Sequence, residues 1–152
     1  MTPAARSDAA PAVLRAKPAR NAERTQATIL AAATQEFARH GYGGARVDTN
    51  KRMLYYYFGA KEALFLAVLE AAYGEIRGAE QRLDLTHREP VEGMRELVTF
   101  TWRHFLAHPE FISLLATENL HRAKHLKRSA RIRSLHSPLV ATISDLLGRG
   151  QR

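Results

Sequence analysis

Residues 44–65 read GARVDTNKRMLYYYFGAKEALF, and this stretch decides how the rest of the chain is interpreted. Four aromatic side chains stand in an unbroken row, with basic residues on both sides. Asn50 is a good N-cap and Gly59 ends regular structure, so a short helix is predicted between them. Leu54 and Phe58 fall on one face of that helix and can anchor it to a core. The opposite face is left to solvent.

The outward face of this helix combines tyrosines with cations. Two consecutive helical positions cannot both face inward, so Tyr55 and Tyr56 are predicted to be exposed, whereas Tyr57 fits core packing equally well. Phenol hydroxyls and cationic groups donate hydrogen bonds to phosphate oxygens, and a basic residue near a helix start can reach a guanine edge. Lys61, which begins the next helix, adds charge beside backbone N–H groups that suit a phosphate. From the residues alone, the predicted DNA-contacting side chains are those of Lys51, Arg52, Tyr55, Tyr56 and Lys61.

The charge of the chain is strongly positive and unevenly distributed. The formal net charge is +8 over 152 residues and the isoelectric point is about 10.3, which favours a polyanionic partner. Residues 1–61 hold ten Lys or Arg against four Asp or Glu, whereas residues 62–120 hold five against ten. The basic run 121–133 is predicted to be a solvated connector, with contact to a membrane or nucleic acid as the alternative.

Other protein classes are disfavoured by what the sequence lacks. There is no cysteine, which excludes disulfides, thiolate zinc sites and cysteine nucleophiles. No apolar run approaches the length of a membrane span and no secretory signal is present, so a cytoplasmic location without membrane contact is expected. His104 with His108, and His121 with His125, have metal-ligand spacing but lack the glutamate of a zinc-protease motif, so no metal site is predicted. No nucleophile–base motif stands out, so neither an enzyme nor a cofactor is predicted.

The rest of the pattern is helical. Apolar residues recur with the helical period and nothing alternates with period two, which predicts an all-α protein. Residues 1–20, rich in Ala, Pro and Arg, are predicted to be a disordered basic tail. GYGG is predicted to be a turn, with Gly41 in a left-handed conformation after the first helix, and Pro138 is expected to kink or restart the last helix. Helices are predicted at residues 21–40, 50–58, 61–85, 90–107, 109–122 and 129–149.

Large apolar side chains of the C-terminal half could line a cavity between helices. Apolar pockets with a few polar groups suit small effectors, and ordinary core packing is the alternative for each residue. The candidate pocket residues are Met94, Phe100, Trp102, Phe105 and Phe111.

Two segments, TILAAATQEFARHGYGGARVDT and NKRMLYYYFGAKEALFLAVLE, resemble the N-terminal DNA-binding region of the TetR family of transcriptional repressors. The family pattern has a first helix that ends near F-A-x-x-G-Y, then a helix-turn-helix, then L-Y-x-Y-F-x-x-K-E-x-L. The matching residues are Phe37, Ala38, Gly41, Tyr42, Leu54, Tyr55, Tyr57, Phe58, Lys61, Glu62 and Leu64.

The resemblance implies a fold and a function. The implied fold is an N-terminal helix-turn-helix-type DNA-binding head, residues 21–60, followed by a helical effector-binding and dimerisation domain, residues 61–152. The implied function is a repressor that binds a double-stranded DNA operator as a homodimer and is released by a small-molecule effector. By resemblance, the residues that approach bases are Lys51, Arg52 and Tyr55, and those that hold phosphates are Tyr56, Tyr57 and Lys61.

Three departures from the family pattern stand beside the match. About seven residues, or two helical turns, are absent between Thr49 and Asn50, where the family has the second helix of its head. The family continues with two more long helices at the dimer interface, whereas this chain stops at Arg152. Ala60 replaces a capping Ser, Asn or Asp, and loss of such a cap costs about 1 kcal/mol. The alternatives are therefore segments missing from this chain, a genuine deletion, or a DNA-binding-deficient helical remnant that binds a ligand or a protein.

Overall fold

The computed structural model describes residues 16–46 and 51–151. Every regular element in these two ranges is a helix, which confirms the predicted all-α class. The helices are α1 (Ala16–Gly44), α2 (Lys51–Phe58), α3 (Lys61–Glu80), α4 (Pro90–Ala107), α5 (Pro109–Leu120), α6 (Lys124–Arg128) and α7 (Ala130–Gly150).

Helix α1 begins earlier than the sequence predicts. It starts at Ala16, so Asn21 lies inside the helix and its carbonyl accepts a hydrogen bond from the Thr25 hydroxyl at 2.8 Å. The predicted start of the first helix at residue 21 is therefore wrong. Pro18 does not prevent the early start, because the first turn of a helix needs no N–H from proline. The part of the predicted disordered tail before Ala16 falls outside the described residues.

Gly41 changes the direction of the chain within α1, three residues before the helix ends at Gly44. Its φ is +65° and its ψ is −179°, a conformation that L side chains rarely adopt. The Ala45 N–H donates to the Gly41 carbonyl at 3.1 Å and closes the turn that follows. The predicted positive φ of Gly41 is therefore present, but its ψ is not that of the left-handed helical region, and residues 42–44 of the predicted GYGG turn are helical.

The main core lies where α1, α3 and α5 pack together. Phe37 and Phe65 meet edge to face with their ring centroids 4.9 Å apart, and Tyr42 stands 5.1 Å from the Phe65 ring. Leu54 is buried and Phe58 packs against the same core, so both predicted anchors of α2 are confirmed. Apolar burial on one face therefore fixes α2 on α3 and leaves its other face free.

A smaller core joins α4 to α7. Its fully buried residues are Leu85, Leu97 and Leu146. Gly93 allows the two helices to approach closely, because a Cβ at this position would lie 2.8 Å from Leu146 Cδ2.

The ends of the other helices depart from the predicted bounds by a few residues. α3 ends at Glu80 and not at residue 85, because the following backbone turns, with the Leu83 N–H donating to the Glu80 carbonyl. α4 begins at Pro90 as predicted, and the Glu89 carboxylate caps it by accepting from the backbone N–H groups of Val91 and Glu92 at 3.1 and 3.2 Å. Pro138 lies inside α7 without ending it.

The basic run 121–133 keeps its Lys and Arg side chains exposed, as a solvated segment should, but it is helical and not a plain connector. It forms α6 and the start of α7, and His125 within it is buried with 3% of its surface exposed. The Glu118 carboxylate of α5 lies 2.7 Å from Nδ1 of this buried ring. The charge pattern of the run does not predict that contact.

Candidate nucleic-acid interface

The outer face of α2 carries exposed tyrosines. Tyr56 is 79% exposed and Tyr55 is 60% exposed, as predicted, while Tyr57 is half-buried. The Tyr56 and Tyr57 rings meet edge to face with centroids 5.0 Å apart. Both exposed tyrosines lie away from the face of α2 that the buried Leu54 occupies. The side chains of Lys51 and Arg52 fall outside the described part of the structure, although both residues lie in the first turn of α2.

Lys61 has an internal partner that the sequence did not predict. Its ammonium donates to the Ala45 carbonyl at 2.7 Å and lies 5.3 Å from the centroid of the Tyr42 ring. An ammonium group has three donors, so two remain for other acceptors. The residue thus ties the turn after α1 to the start of α3. Ala60 precedes that start and makes no side-chain cap, which agrees with its predicted weakness as a cap.

Behind α2, the first turn of α3 meets α6. We call Tyr42, Glu62, Phe65, Glu118 and His125 the junction cluster. The Glu118 carboxylate is buried and accepts from the backbone N–H of His125 at 2.7 Å, while its other oxygen lies 2.7 Å from His125 Nδ1. The ring of His125 stands 5.2 Å from Tyr42 and 5.0 Å from Phe65, centroid to centroid.

Glu62 brings the positive charge of α6 toward the start of α3. Its carboxylate lies 3.4 Å from Lys124 Nζ, 3.0 Å from Arg128 Nη1 and 3.9 Å from His125 Nε2. One carboxylate therefore faces three basic side chains of α6. These pairs hold α6 against the first turn of α3.

The predicted effector residues divide into two groups. Met94, Trp102 and Phe105 line a cavity of about 370 Å³ between α3, α4 and α7. Phe100 and Phe111 do not: Phe100 tilts against His104, and Phe111 is buried edge to face with Tyr73 at 5.4 Å. The lining residues that the sequence analysis missed include Arg77, Glu80, Leu139 and Ile143.

Arg77 and Glu80 form a buried ion pair in the wall of this cavity. Arg77 Nη1 donates to a Glu80 carboxylate oxygen, and the Arg77 side chain is only 11% exposed. Burial raises the pKa of Glu80, and the positive charge and hydrogen bond of Arg77 oppose that rise. The pair also lines a second cavity of about 170 Å³.

The histidine pairs do not assemble a larger ligand set. The rings of His104 and His108 stack with centroids 4.3 Å apart, and His108 Nδ1 lies 3.2 Å from a Glu110 oxygen. Burial lowers the pKa of His104, and the neighbouring His108 lowers it further. Within the described ranges, no group of three or more metal-binding side chains converges on one point.

No helix in the described part of the chain is both long enough and apolar enough to cross a membrane.

Comparison with known proteins shows which protein family shares this sequence. Residues 29–68 match the family described as "Bacterial regulatory proteins, tetR family", and residues 90–152 match "Tetracyclin repressor-like, C-terminal domain". The HTH-type transcriptional repressor SCO4008 of Streptomyces coelicolor is 34% identical over 142 residues, which cover 87% of this chain and 69% of that protein. The chain belongs to the TetR family. The resemblance inferred from the residues around α2 is confirmed.

A second relative of this TetR-family chain is the HTH-type transcriptional repressor NicS of Pseudomonas putida. It is 41% identical over 140 residues, which cover 88% of this chain and 66% of the relative. The chain therefore spans about two thirds of the length of these relatives. No solved structure matches it.

Proposed function

We propose that this chain acts as a transcriptional repressor that binds operator DNA through α2. The observation that carries the proposal is the division of α2 into a buried face, with Leu54, and an outward face, with Tyr55 and Tyr56. Both relatives are named as transcriptional repressors, which supports the same role here. A DNA-binding repressor acts in the cytoplasm and needs no catalytic group, so we propose that location and no enzymatic activity.

In this proposal α2 is the recognition helix. Eight residues make a helix about 12 Å long, which fits across a major groove. The side chains proposed to approach bases belong to Lys51, Arg52 and Tyr55, and those proposed to contact phosphates belong to Tyr56, Tyr57 and Lys61. The head would then comprise residues 21–60, and the remaining helices would form the effector-binding body.

The 370 Å³ cavity is the proposed effector site. It has the size of a small-molecule pocket and its walls are mainly apolar, with one ion pair at the edge. Occupation of the site would change how α3 packs against α4 and α7. Since α3 also carries the support for α2, an effector could release the DNA through this one helix.

A homodimer is proposed because α4 and α7 expose apolar side chains, which a second copy of the chain would remove from water. Two copies of α2 would read two half-sites one turn of DNA apart. The exposed apolar residues of these helices that do not line the effector cavity are Val91, Leu106, Val140 and Leu147.

The alternative is a helical remnant that binds a ligand or a protein but not DNA. It is favoured by one observation: only four residues, 47–50, connect Arg46 to Lys51, where the family has a further helix. A recognition helix without that support would enter the groove less firmly. This alternative predicts ligand-dependent stabilisation with no effect of any DNA.

Fluorescence anisotropy on duplex DNA that flanks the gene separates the two functions. The repressor proposal predicts binding at low salt that weakens steeply as salt is added, because released counterions drive much of the affinity. Tyr56→Ala should weaken binding about tenfold, and Arg95→Ala, an exposed change on α4, should leave it unchanged. The absence of binding at low salt would support the remnant.

A further inference from the structure

Helix α2 is too short to be stable by itself. It contains eight residues, and a helix of this length is marginal in water without tertiary support. Leu54 is the one buried residue among its described side chains. The chain turns at Gly59, whose φ is +74°, and Ala60 makes no side-chain cap at the start of α3. The orientation of α2 therefore depends on what fixes the chain on either side of it.

Lys61 joins the two sides of the segment that carries α2. Its ammonium donates a hydrogen bond of 2.7 Å to the carbonyl of Ala45, 16 positions earlier in the chain. Ala45 is buried, and its own N–H donates to the Gly41 carbonyl at 3.1 Å. The chain before α2 is thus connected directly to the first residue of α3. A contact that closes a segment reduces the number of conformations open to that segment.

The aromatic ring beside this ammonium is itself held in place. Lys61 Nζ lies 5.3 Å from the centroid of the Tyr42 ring, within the range of a cation–π contact. The Tyr42 ring stands 5.1 Å from the ring of Phe65 and 5.2 Å from that of His125, centroid to centroid. Both of those rings are buried. The half-buried lysine therefore has two fixed partners, which makes it an anchor for the start of α3.

We propose that Lys61 is a positioning residue, which holds α2 through Ala45 and Tyr42. The outward tyrosines of α2 then meet DNA in one fixed orientation. This inference rests on the proposed function and gives Lys61 a role besides its proposed phosphate contact. The competing explanation is that Lys61 acts only as a positive charge beside a phosphate, and that its contact with Ala45 has no effect on α2.

Hydrogen–deuterium exchange of the intact chain without DNA tests the hold on α2. Lys61→Met keeps the apolar stem and removes the donor. We expect the amides of α2 to exchange about tenfold faster in this variant, which is the effect of one lost hydrogen bond from a charged donor, while those of α7 keep their rates. The matched control is Lys127→Met, which removes the same charge at an exposed position of α6 and should leave the exchange of α2 unchanged.

A second measurement needs no variant. In the ¹⁵N-labelled wild-type chain, the Lys61 ammonium should reorient slowly and exchange its protons slowly with water, because it has fixed partners. The exposed Lys127 ammonium provides the mobile reference in the same sample. A Lys61 ammonium as mobile as that of Lys127 would overturn the proposal.

A DNA measurement separates positioning from charge. Fluorescence anisotropy compares the duplex that flanks the gene with a scrambled duplex of the same composition. Loss of a phosphate contact alone weakens both complexes equally, because phosphates carry no sequence information. A displaced recognition helix loses base contacts, so Lys61→Met should lower the preference for the flanking duplex about tenfold.

Equal losses on the two duplexes, or the same α2 exchange in wild type and Lys61→Met, would overturn the proposal. Faster exchange throughout the variant would also overturn it, since Lys61 would then stabilise the whole fold and not α2. The exchange and ammonium measurements contain no DNA, so their failure leaves the repressor proposal standing. A chain whose α2 loosens in Lys61→Met but which binds neither duplex would overturn only the repressor proposal.

Discussion

Glu118 Oε2 lies 2.7 Å from His125 Nδ1, and the other oxygen of the same carboxylate accepts from the backbone N–H of Leu126 at 3.0 Å. One buried side chain of α5 therefore both starts α6 and orients the ring that packs on Tyr42 and Phe65. This contact lies in the junction cluster, where Tyr42 of α1 packs on the His125 ring of α6.

Glu118→Ala should lower the free energy of unfolding by about 3 kcal/mol, because it leaves buried N–H groups and a buried ring nitrogen without an acceptor. Urea denaturation followed by circular dichroism measures the loss. Glu92→Ala removes the surface pair with Arg95 and should change stability by less than about 0.5 kcal/mol. Equal effects of the two substitutions would show that Glu118 has no special role.

Two neighbouring residues of α2 should separate folding from DNA binding. Leu54→Ala should destabilise the protein by about 2–4 kcal/mol, because Leu54 is 6% exposed and anchors the helix. Tyr55→Ala, at a position 60% exposed, should leave stability within about 0.5 kcal/mol and still weaken DNA binding. Thermal unfolding and anisotropy on the same samples give both values. A large stability loss in Tyr55→Ala would contradict the outward orientation.

A glycine pair tests the contact between α4 and α7. Gly93→Ala should destabilise by about 1–3 kcal/mol, since its new Cβ would lie 2.8 Å from Leu146 Cδ2. Gly74→Ala in α3, with nothing within 4 Å of its added Cβ, should instead stabilise by about 0.5–1 kcal/mol. Chemical denaturation of both variants checks the opposite signs. A neutral Gly93→Ala would mean that Leu146 moves aside freely.

Stability should fall as the solution becomes mildly acidic. Burial lowers the pKa of both His104 and His136 below the ordinary value of 6.5, with His108 adding to the effect at His104 and Arg77 at His136. The folded state thus binds these protons less tightly than the unfolded state does. Their contribution to stability is complete above about pH 6.5 and is lost as the pH falls below it. Melting temperatures between pH 7.5 and 5.5 should fall less in H104Q/H136Q than in the wild type. An equal fall in both proteins would contradict this assignment.

The sequence predicted the parts of the fold that local chemistry controls. The helical class, the start of α4 at Pro90, the positive φ of Gly41 and the buried face of α2 follow from residue type and spacing. The start of α1 was missed because an alanine-rich segment after a disordered-looking leader carries no clear N-cap.

Features that depend on tertiary contacts were not predictable in the same way. Glu118 and His125 are separated by a turn in which Arg122 and Ala123 both have φ of +56°, with no glycine to mark it. Phe100 was placed in the pocket with Trp102, although two positions apart on a helix point about 200° away from each other. The sequence did not predict Arg77 as a residue that lines the cavity, because a lone arginine in a helix is usually solvated.

Site-specific photo-crosslinking tests the central claim, that α2 is the DNA-contacting helix, most directly. A benzophenone amino acid replaces Tyr56 in one sample and Val98, an exposed residue of α4, in another. After irradiation with the flanking duplex, the account predicts a protein–DNA adduct from position 56 and none from position 98. No adduct from position 56, or equal adducts from both positions, would contradict it.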